Sequence, residues 1–389
     1  MILIKNAKIL PMTGRKIEFG YIIVQDGKIQ QFGRDVDVQA EKDFDRVIDA
    51  HGGYVLPGYI DAHCHVGMWE DGVNWEGSDG NEATDPVTPQ LKAIDGIFFQ
   101  DNSFKEAKEA GITTCVTGPG SANVIGGWFA AVKTLHGTPD EMILNDCIAM
   151  KMAFGENPKR VYGTQNKYPS TRMGTAAIIR ENLLKAQEYQ GKINDAEKNS
   201  ESKKPDLNVK YESLAKVLDG RLLVKAHAHR QDDIITAIRI AREFNLRITI
   251  EHGTEGYLIP ELMKKANFGV IAGPIICERS KIELRNLSPK NPGILAKAGI
   301  LTAIMTDHPV IPIQYLPVCA AVACKEGMDE DEALKAITIN AAKLTGIDQS
   351  TGSIDIGKDA DLLVYDGHPF EFRSKLEYVL INGKVVHER

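Results

Sequence analysis

PGYIDAHCH, residues 57–65, sets His63 and His65 two apart at the end of an apolar run. In a β-strand, residues two apart project from one face, so both imidazoles point the same way, as a pair of metal ligands would. ITIEHG at 248–253 ends likewise in His252, and LTAIMTDHPV at 301–310 delivers Asp307. LLVKAHAH at 222–229 adds His227 and His229 on one face with Lys225. A single histidine at a strand end is ordinarily a satisfied structural residue. Several apolar runs that each end in a ligand-type side chain point instead to a metal site built from strand ends, where barrel enzymes carry their chemistry.

The bulk properties agree with a soluble enzyme. The 389 residues suit a large barrel plus an accessory domain, and the 43% hydrophobic fraction can fill its core. A net charge of −7 and a pI near 5.9 argue against nucleic-acid binding, which needs a basic face. There is no apolar run of membrane-spanning length, and MILIKNAKIL at the start has no signal-peptide character. Cys64, Cys115, Cys147, Cys277, Cys319 and Cys324 form no CxxC pair and sit mostly in apolar segments. Free thiols in a reducing cytoplasm are expected.

Both ends of the chain read as β-structure. Asp26-Gly27 after YIIVQ and Asn382-Gly383 after LEYVLI are hairpin signals, and two β-rich ends suggest one small β-domain around an inserted middle. The middle alternates strand-like and helix-like segments, an α/β pattern. Strands are expected at 59–64, 112–117, 146–154, 222–228, 247–251, 269–276 and 301–306, with helices such as 103–111 and 232–245 between them. That is seven strands, one short of a (β/α)8 barrel. Residues 69–90 are polar and follow His65, so they are expected to lie over the site. Residues 190–210 read as an exposed insertion.

A second metal ion would need a bridging anion, and DCIAMKMAFGENPKR at 146–160 offers two. Ile148, Met150, Met152 and Phe154 form one bulky face, which turns Lys151 toward a barrel interior, where carboxylation of its amine would make it a ligand. Glu156 follows Gly155 at the rim and is preferred here as the direct ligand. His229 is open to three readings, as ligand, solvated loop residue or substrate contact, and the last is preferred. His308 should face away from Asp307 as a support. His51, His136, His368 and His387 have no such context. Arg160 is a candidate partner for a substrate carboxylate. Gly118, Gly120, Gly126 and Gly127 offer an anion-binding nest or, more simply, a tight turn. Trp69 and Trp75 could form a lid or anchor their loop.

With these residues in place, the chain resembles the amidohydrolase superfamily, nearest its imidazolonepropionase-like and metal-dependent prolidase-like branch. PGYIDAHCH, GITTCVTGPG at 111–120, VKAHAH, IEHG, MTDHP and GSIDIGKDADLLVYDG carry the resemblance over essentially the whole chain. It implies a distorted (β/α)8 TIM barrel over 57–349 and a small β-sandwich from 1–56 and 350–389. It also implies ligand roles for His63, His65, His227 and His252, and a ligand-and-base role for Asp307. Prolidase-like relatives carry a bridging lysine on the fourth strand, whereas Lys151 falls on the third by this count. A third-strand glutamate resembles the N-acetylglucosamine-6-phosphate deacetylase pattern instead. The second histidine of VKAHAH is typical of neither.

The expected cofactor is a divalent metal, zinc first with iron or manganese as alternatives, as one or two ions. It lowers the pKa of bound water from ~15.7 toward ~7, and the hydroxide attacks a carbonyl-type carbon. Asp307 takes the water's proton and returns it to the leaving nitrogen, with His229 near the oxyanion. The expected substrate is a small molecule: a cyclic amide, an N-acyl amino acid or a dipeptide-like compound. The alternatives are a ring-amidine deaminase and a non-catalytic scaffold of the same fold. Neither nucleic acid nor membrane is an expected partner, and a homo-oligomer stays open.

Overall fold

The computed structural model, which describes residues 1–34, 41–135, 137–199 and 203–389, joins both chain ends in one sheet. Five strands open the chain: β1 (Ile2–Ile9), β2 (Ile17–Gln25), β3 (Lys28–Arg34), β4 (Arg46–Asp49) and β5 (Tyr54–Pro57). Eight follow: β6 (Tyr59–Cys64), β7 (Ile112–Thr117), β8 (Ile125–Lys133), β9 (Ile143–Ala153), β10 (Leu223–Ala228), β11 (Ile248–His252), β12 (Gly269–Ala272) and β13 (Thr302–Ile304). Three end it: β14 (Leu362–Tyr365), β15 (Leu376–Ile381) and β16 (Lys384–Glu388). No helix among the described residues is long and apolar enough to cross a membrane.

The terminal sheet runs β16–β15–β14–β5–β1–β2–β3, with β4 beside β1. Its two tightest hairpins, β2–β3 and β15–β16, form where Asp-Gly and Asn-Gly dictate. Asp26 and Gly27 have φ of 50° and 78°, and Asn382 and Gly383 of 49° and 71°, the left-handed pair that matches the twist of the flanking strands. Ile4, Ile22, Val55, Leu362 and Leu380 pack between its strands.

The middle strands form a nearly closed barrel in chain order from β6 to β13. All neighbours are parallel except β8, which runs antiparallel to both β7 and β9. β8 is the strand missing from the seven expected. Its sequence, IGGWFAAVK, is buried at every position, so it shows no apolar–polar alternation, and its glycine pair reads as a turn. Gly126 and Gly127 therefore belong to a strand and not to a nest or a turn. A Cβ at Gly126 would lie 3.2 Å from Lys151 Cβ, so the glycine lets the lysine stem pass. Counting β8 also moves Lys151, on β9, from the third barrel strand to the fourth.

The seam of the barrel is short, because β13 has three residues. Asp61 of β6 closes it: one carboxylate oxygen accepts from the Thr306 backbone N–H (3.1 Å) and hydroxyl, the other from the His63 N–H (3.1 Å). Burial pushes the Asp61 carboxyl up to about 7, against the hydrogen bonds from Thr306 and His63. Outside the barrel, Met150, Met152 and Phe154 pack in one cluster with Ile179, Leu183 and Ala237, as the parity of β9 requires, whereas Ile148, expected on the same face, packs in another with Ala149 and Ile271.

Helices Asn102–Glu109 and Gln231–Glu243 lie where expected. The stretch 190–210 is not a loose insertion throughout. A 27-residue helix, Arg172–Lys198, runs through its first part, capped by Thr171. A second helix, Val209–Leu218, starts at Asn208 and docks through Glu212, which accepts from Tyr189 Oη at 2.7 Å. Residues 200–202 lie outside the described residues.

Lys133 ends β8 and ties the barrel to the terminal sheet. Its Nζ meets Asp361 and, at 3.1 Å, Asp359, whose other oxygen is 2.6 Å from Lys28. Lys133→Met would strand a buried Asp361 charge, so a loss of about 3–5 kcal/mol is expected in urea unfolding at pH 7. Burial raises the Asp359 carboxyl, but Lys133 and Lys28 outweigh it and hold it below its usual 3.8. Their contribution is present above pH 3.8 and lost as the pH falls through the lowered value. The gap between wild type and variant should narrow on acidification, and a pH-independent gap would count against the ion pair.

Candidate metal centre

Six side chains meet at the C-terminal ends of β6, β10, β11 and β13. The donor atoms of His63, His65 and Asp307 lie within 4.8 Å of one another, as do those of His227, His229 and His252. Asp307 Oδ1 is 3.3 Å from His65 Nε2 and 3.6 Å from His63 Nε2. The His227 and His252 rings are 4.3 Å apart, and His63 lies 5.7 Å from His252, which links the two groups. Lys151 forms the floor, its Nζ 3.0 Å from His63 Nε2.

Three of these rings hydrogen-bond through their outer nitrogens, and His63 makes a close contact through its own without hydrogen-bond alignment. His63 Nδ1 faces Glu251 (2.6 Å), His65 Nδ1 the Gly118 carbonyl (2.6 Å), His229 Nδ1 the Thr254 hydroxyl (2.7 Å) and His252 Nδ1 the Gly273 carbonyl (2.9 Å). Such contacts fix ring orientation in metal sites. The inner nitrogens are left over: His229 Nε2, His252 Nε2 and both nitrogens of His227 are buried without a hydrogen bond. Each orphaned group costs ~1–3 kcal/mol, which a coordinated ion would remove. His252 (φ 72°) and Asp307 (φ 55°) are held in the left-handed region, at ~1–3 kcal/mol each.

Electrostatics favour the ligand form of the rings. Burial, then Lys151 and Lys225, hold the His63 imidazole well below its usual range. Burial does the same for His227 and His229, with Lys281 adding to it, and for His252, with its histidine neighbours adding. Neutral imidazole is the form that binds metal. Burial raises the Asp307 carboxyl, but His252, His65 and Lys151 outweigh it and leave it below the carboxylate range. Burial lowers the Lys151 amine to about 8.

His229 is buried inside the histidine group, not solvated. Glu156 is not brought to these rings. It opens the helix Glu156–Gly163, and its carboxylate accepts from the Glu283 N–H at 3.4 Å while its own N–H donates to Glu283 Oε2 at 3.2 Å. Arg160, on the same helix, is exposed. Trp69 packs edge-on against His65 at 4.8 Å, whereas Trp75 is 89% exposed and covers nothing. His308 supports the loop after β13, accepting from the Ile313 N–H at 3.1 Å. His51 is exposed beside Asp49, His368 packs on Tyr54, and His387 is half-buried on β16, all away from the centre. His136 lies outside the described residues.

Three charged neighbours escaped the sequence reading. Glu283 Oε1, buried, lies 3.5 Å from His229 Nε2, 3.8 Å from His227 Nε2 and 2.7 Å from Lys281. These two come from an irregular loop, where no periodicity marks them. Glu251 had a signal: in ITIEH, Thr249 and Glu251 place polar groups on one face of an otherwise apolar strand.

A solved amidohydrolase from Thermotoga maritima MSB8 superposes with a TM-score of 0.95 at 43% identity, covering 100% of both chains. The chain belongs to the amidohydrolase family. The sequence profile of the Amidohydrolase family matches residues 205–386. Amidohydrolase tasK of Hapsidospora irregularis is 28% identical over 94% of this chain, which spans 39% of that relative's length. The imidazolonepropionase of Flavobacterium psychrophilum is 24% identical over 95% of this chain and 92% of its own. This amidohydrolase is thus an enzyme acting on carbon–nitrogen bonds, in a metal-dependent family whose needs its unpaired imidazoles fit.

An ion bound only by the folded centre stabilises it by mass action. Chelator-treated amidohydrolase should melt lower, and zinc at about 100 times its Kd should restore ~2.7 kcal/mol in calorimetry. His252→Asn should abolish that response, and an undiminished response in the variant would remove His252 from the centre.

Proposed function

We propose that this amidohydrolase hydrolyses a C–N bond of a small amide-type substrate (a cyclic amide, an N-acyl amino acid or a dipeptide-like molecule). His63, His65, His227, His252 and Asp307 would hold a divalent metal, zinc foremost. Lys151, carboxylated on its amine, would bridge two ions. The observation that carries this reading is the place of Lys151: fourth barrel strand, inward, its Nζ 3.0 Å from His63 Nε2. An amine lowered to about 8 has a free-base share at neutral pH, the form that adds carbon dioxide. Glu156, turned to the Glu283 backbone, does not serve as the bridge in this proposal, and Arg160 has no part in it.

A divalent ion here would supply Lewis acidity to the amide carbonyl and to water. The remaining work falls to the chain. Asp307, unprotonated at neutral pH, accepts the proton of the attacking water and then gives it to the leaving nitrogen. His229, oriented by Thr254, presents Nε2 to the developing oxyanion. Pro274, Cys277, Lys281 and Val310 line a cavity of about 270 Å³ that opens beside His229 and Asp307, room for a small molecule.

Elemental analysis of protein purified without chelator should give about two metal equivalents in wild type and fewer in Lys151→Ala. One equivalent in both would return Lys151 to a structural role. Asp307→Asn should lower turnover of an accepted amide by about 10²–10⁴-fold while most metal stays bound. Near-normal turnover would sink the assignment, and ammonia as the product would favour the deaminase reading.

A further inference from the structure

Behind the metal centre lies an ionic group that the reaction scheme does not use. His63, Lys225 and Glu251 come from β6, β10 and β11, and all three side chains have no exposed surface. Glu251 Oε2 is 2.6 Å from His63 Nδ1 and 3.0 Å from Lys225 Nζ, while its Oε1 accepts from the Thr249 hydroxyl. Lys225 also donates to the Ala62 carbonyl at 3.0 Å, the residue before His63. On the other edge of the His63 ring, Nε2 faces Lys151 and Asp307 at 3.0 and 3.6 Å.

We infer that Glu251, anchored by Lys225, is a positioning residue that fixes His63 as the Nδ1–H tautomer and aims its Nε2 lone pair into the metal centre. Lys151 Nζ stands at hydrogen-bond distance from Nε2, and an ammonium only donates, so Nε2 accepts and the ring proton belongs to Nδ1, beside the Glu251 carboxylate. An imidazole has one proton when neutral, and Nε2 is left as the electron-pair donor. Glu251 is restrained at both oxygens, Oε1 by the Thr249 hydroxyl and Oε2 by its ion pair with Lys225. Lys225 in turn is tied to the strand that carries His63, so carboxylate, ring and backbone move as one unit. Fold stability alone does not call for this pair: apolar residues of similar volume generally replace a buried ion pair at little or no cost. A carboxylate behind a ligating histidine raises the basicity of the ring, and losing such a partner typically costs 10–100-fold in metal affinity.

The inference rests on the metal-dependent reading above, and the test separates the two. The double variant Glu251→Met/Lys225→Met removes both charges together, so no unpaired ion remains. Cobalt(II) is the probe, read by titration and by its visible spectrum. Wild type should bind cobalt, and the variant should keep a wild-type circular dichroism spectrum but bind about 10–100-fold more weakly, with an altered visible band. Equal affinity and an unchanged band would overturn the role of Glu251 and leave the metal reading standing. A wild type that binds no cobalt would overturn the metal reading and this inference with it. If the double variant fails to fold, nitrogen NMR of metal-free wild type decides, with His63 assigned by comparison with His63→Gln. A protonated Nδ1 supports the inference, and a protonated Nε2 overturns it.

Discussion

Lys225 and Glu251 face each other at 3.0 Å inside the barrel, each without exposed surface. Taking either ion from water costs several kcal/mol, recovered only when an opposite charge and hydrogen bonds stand close by. The same condition governs the layer above. Lys151 is fully buried, and the nearest counter-charges are Asp307 and Glu251, whose attraction opposes the burial that lowers its amine. Lys151, Lys225, Asp307 and Glu251 thus share the space under four histidines that burial keeps neutral. Each is tolerable because the others are there. This coupling makes the strand register strict: a slip of one residue in β9 or β10 would turn Lys151 or Lys225 to the helices and leave the carboxylates unpaired.

The seam follows from that strictness. β6 and β13 share little strand, yet they carry His63, His65 and Asp307, which must meet within a few ångströms. Asp61 solves the problem with its side chain. By gripping the Thr306 backbone N–H and hydroxyl, it fixes the end of β13 against β6 where ladder bonds run out. The backbone N–H of Asp307 then donates to the His63 carbonyl at 3.3 Å, so ligands and seam share the same residues. Asp61 in PGYIDAHCH is therefore as much part of the centre as the histidines after it, although it would touch no metal.

Strand ends were legible in the sequence because their signal is local: an apolar run, then a ligand. The two tight hairpins of the terminal sheet were legible for the same reason. β8 was not, because an antiparallel strand buried on both faces has no period and its glycines imitate a turn. That one omission displaced Lys151 by a strand, away from the fourth-strand position at which prolidase-like relatives were expected to carry a bridging lysine. Parity within β9 had been right about Lys151, and only the count of strands before it was wrong. The polarity of 190–210 likewise hid a helix, since the end of Arg172–Lys198 beyond Tyr189 buries no residue and so reads as a solvated stretch. Glu283 and Lys281 come from a loop whose path depends on tertiary packing, so no local pattern announces them.

His252 shows where alternation stops being a guide and why. Thr249 and Glu251 share one face of β11, and alternation would send the next side chain, His252, to the other. The backbone instead turns left-handed at His252, with φ of 72°. That conformation is uncommon for any residue other than glycine. It brings the ring to within 4.3 Å of His227, and Nδ1 is secured by the Gly273 carbonyl. One strand end can then supply both layers: Glu251 to the ionic floor and His252 to the centre above it. Adjacent residues of a regular strand could not do this, so the strained turn is what allows the two layers to stack.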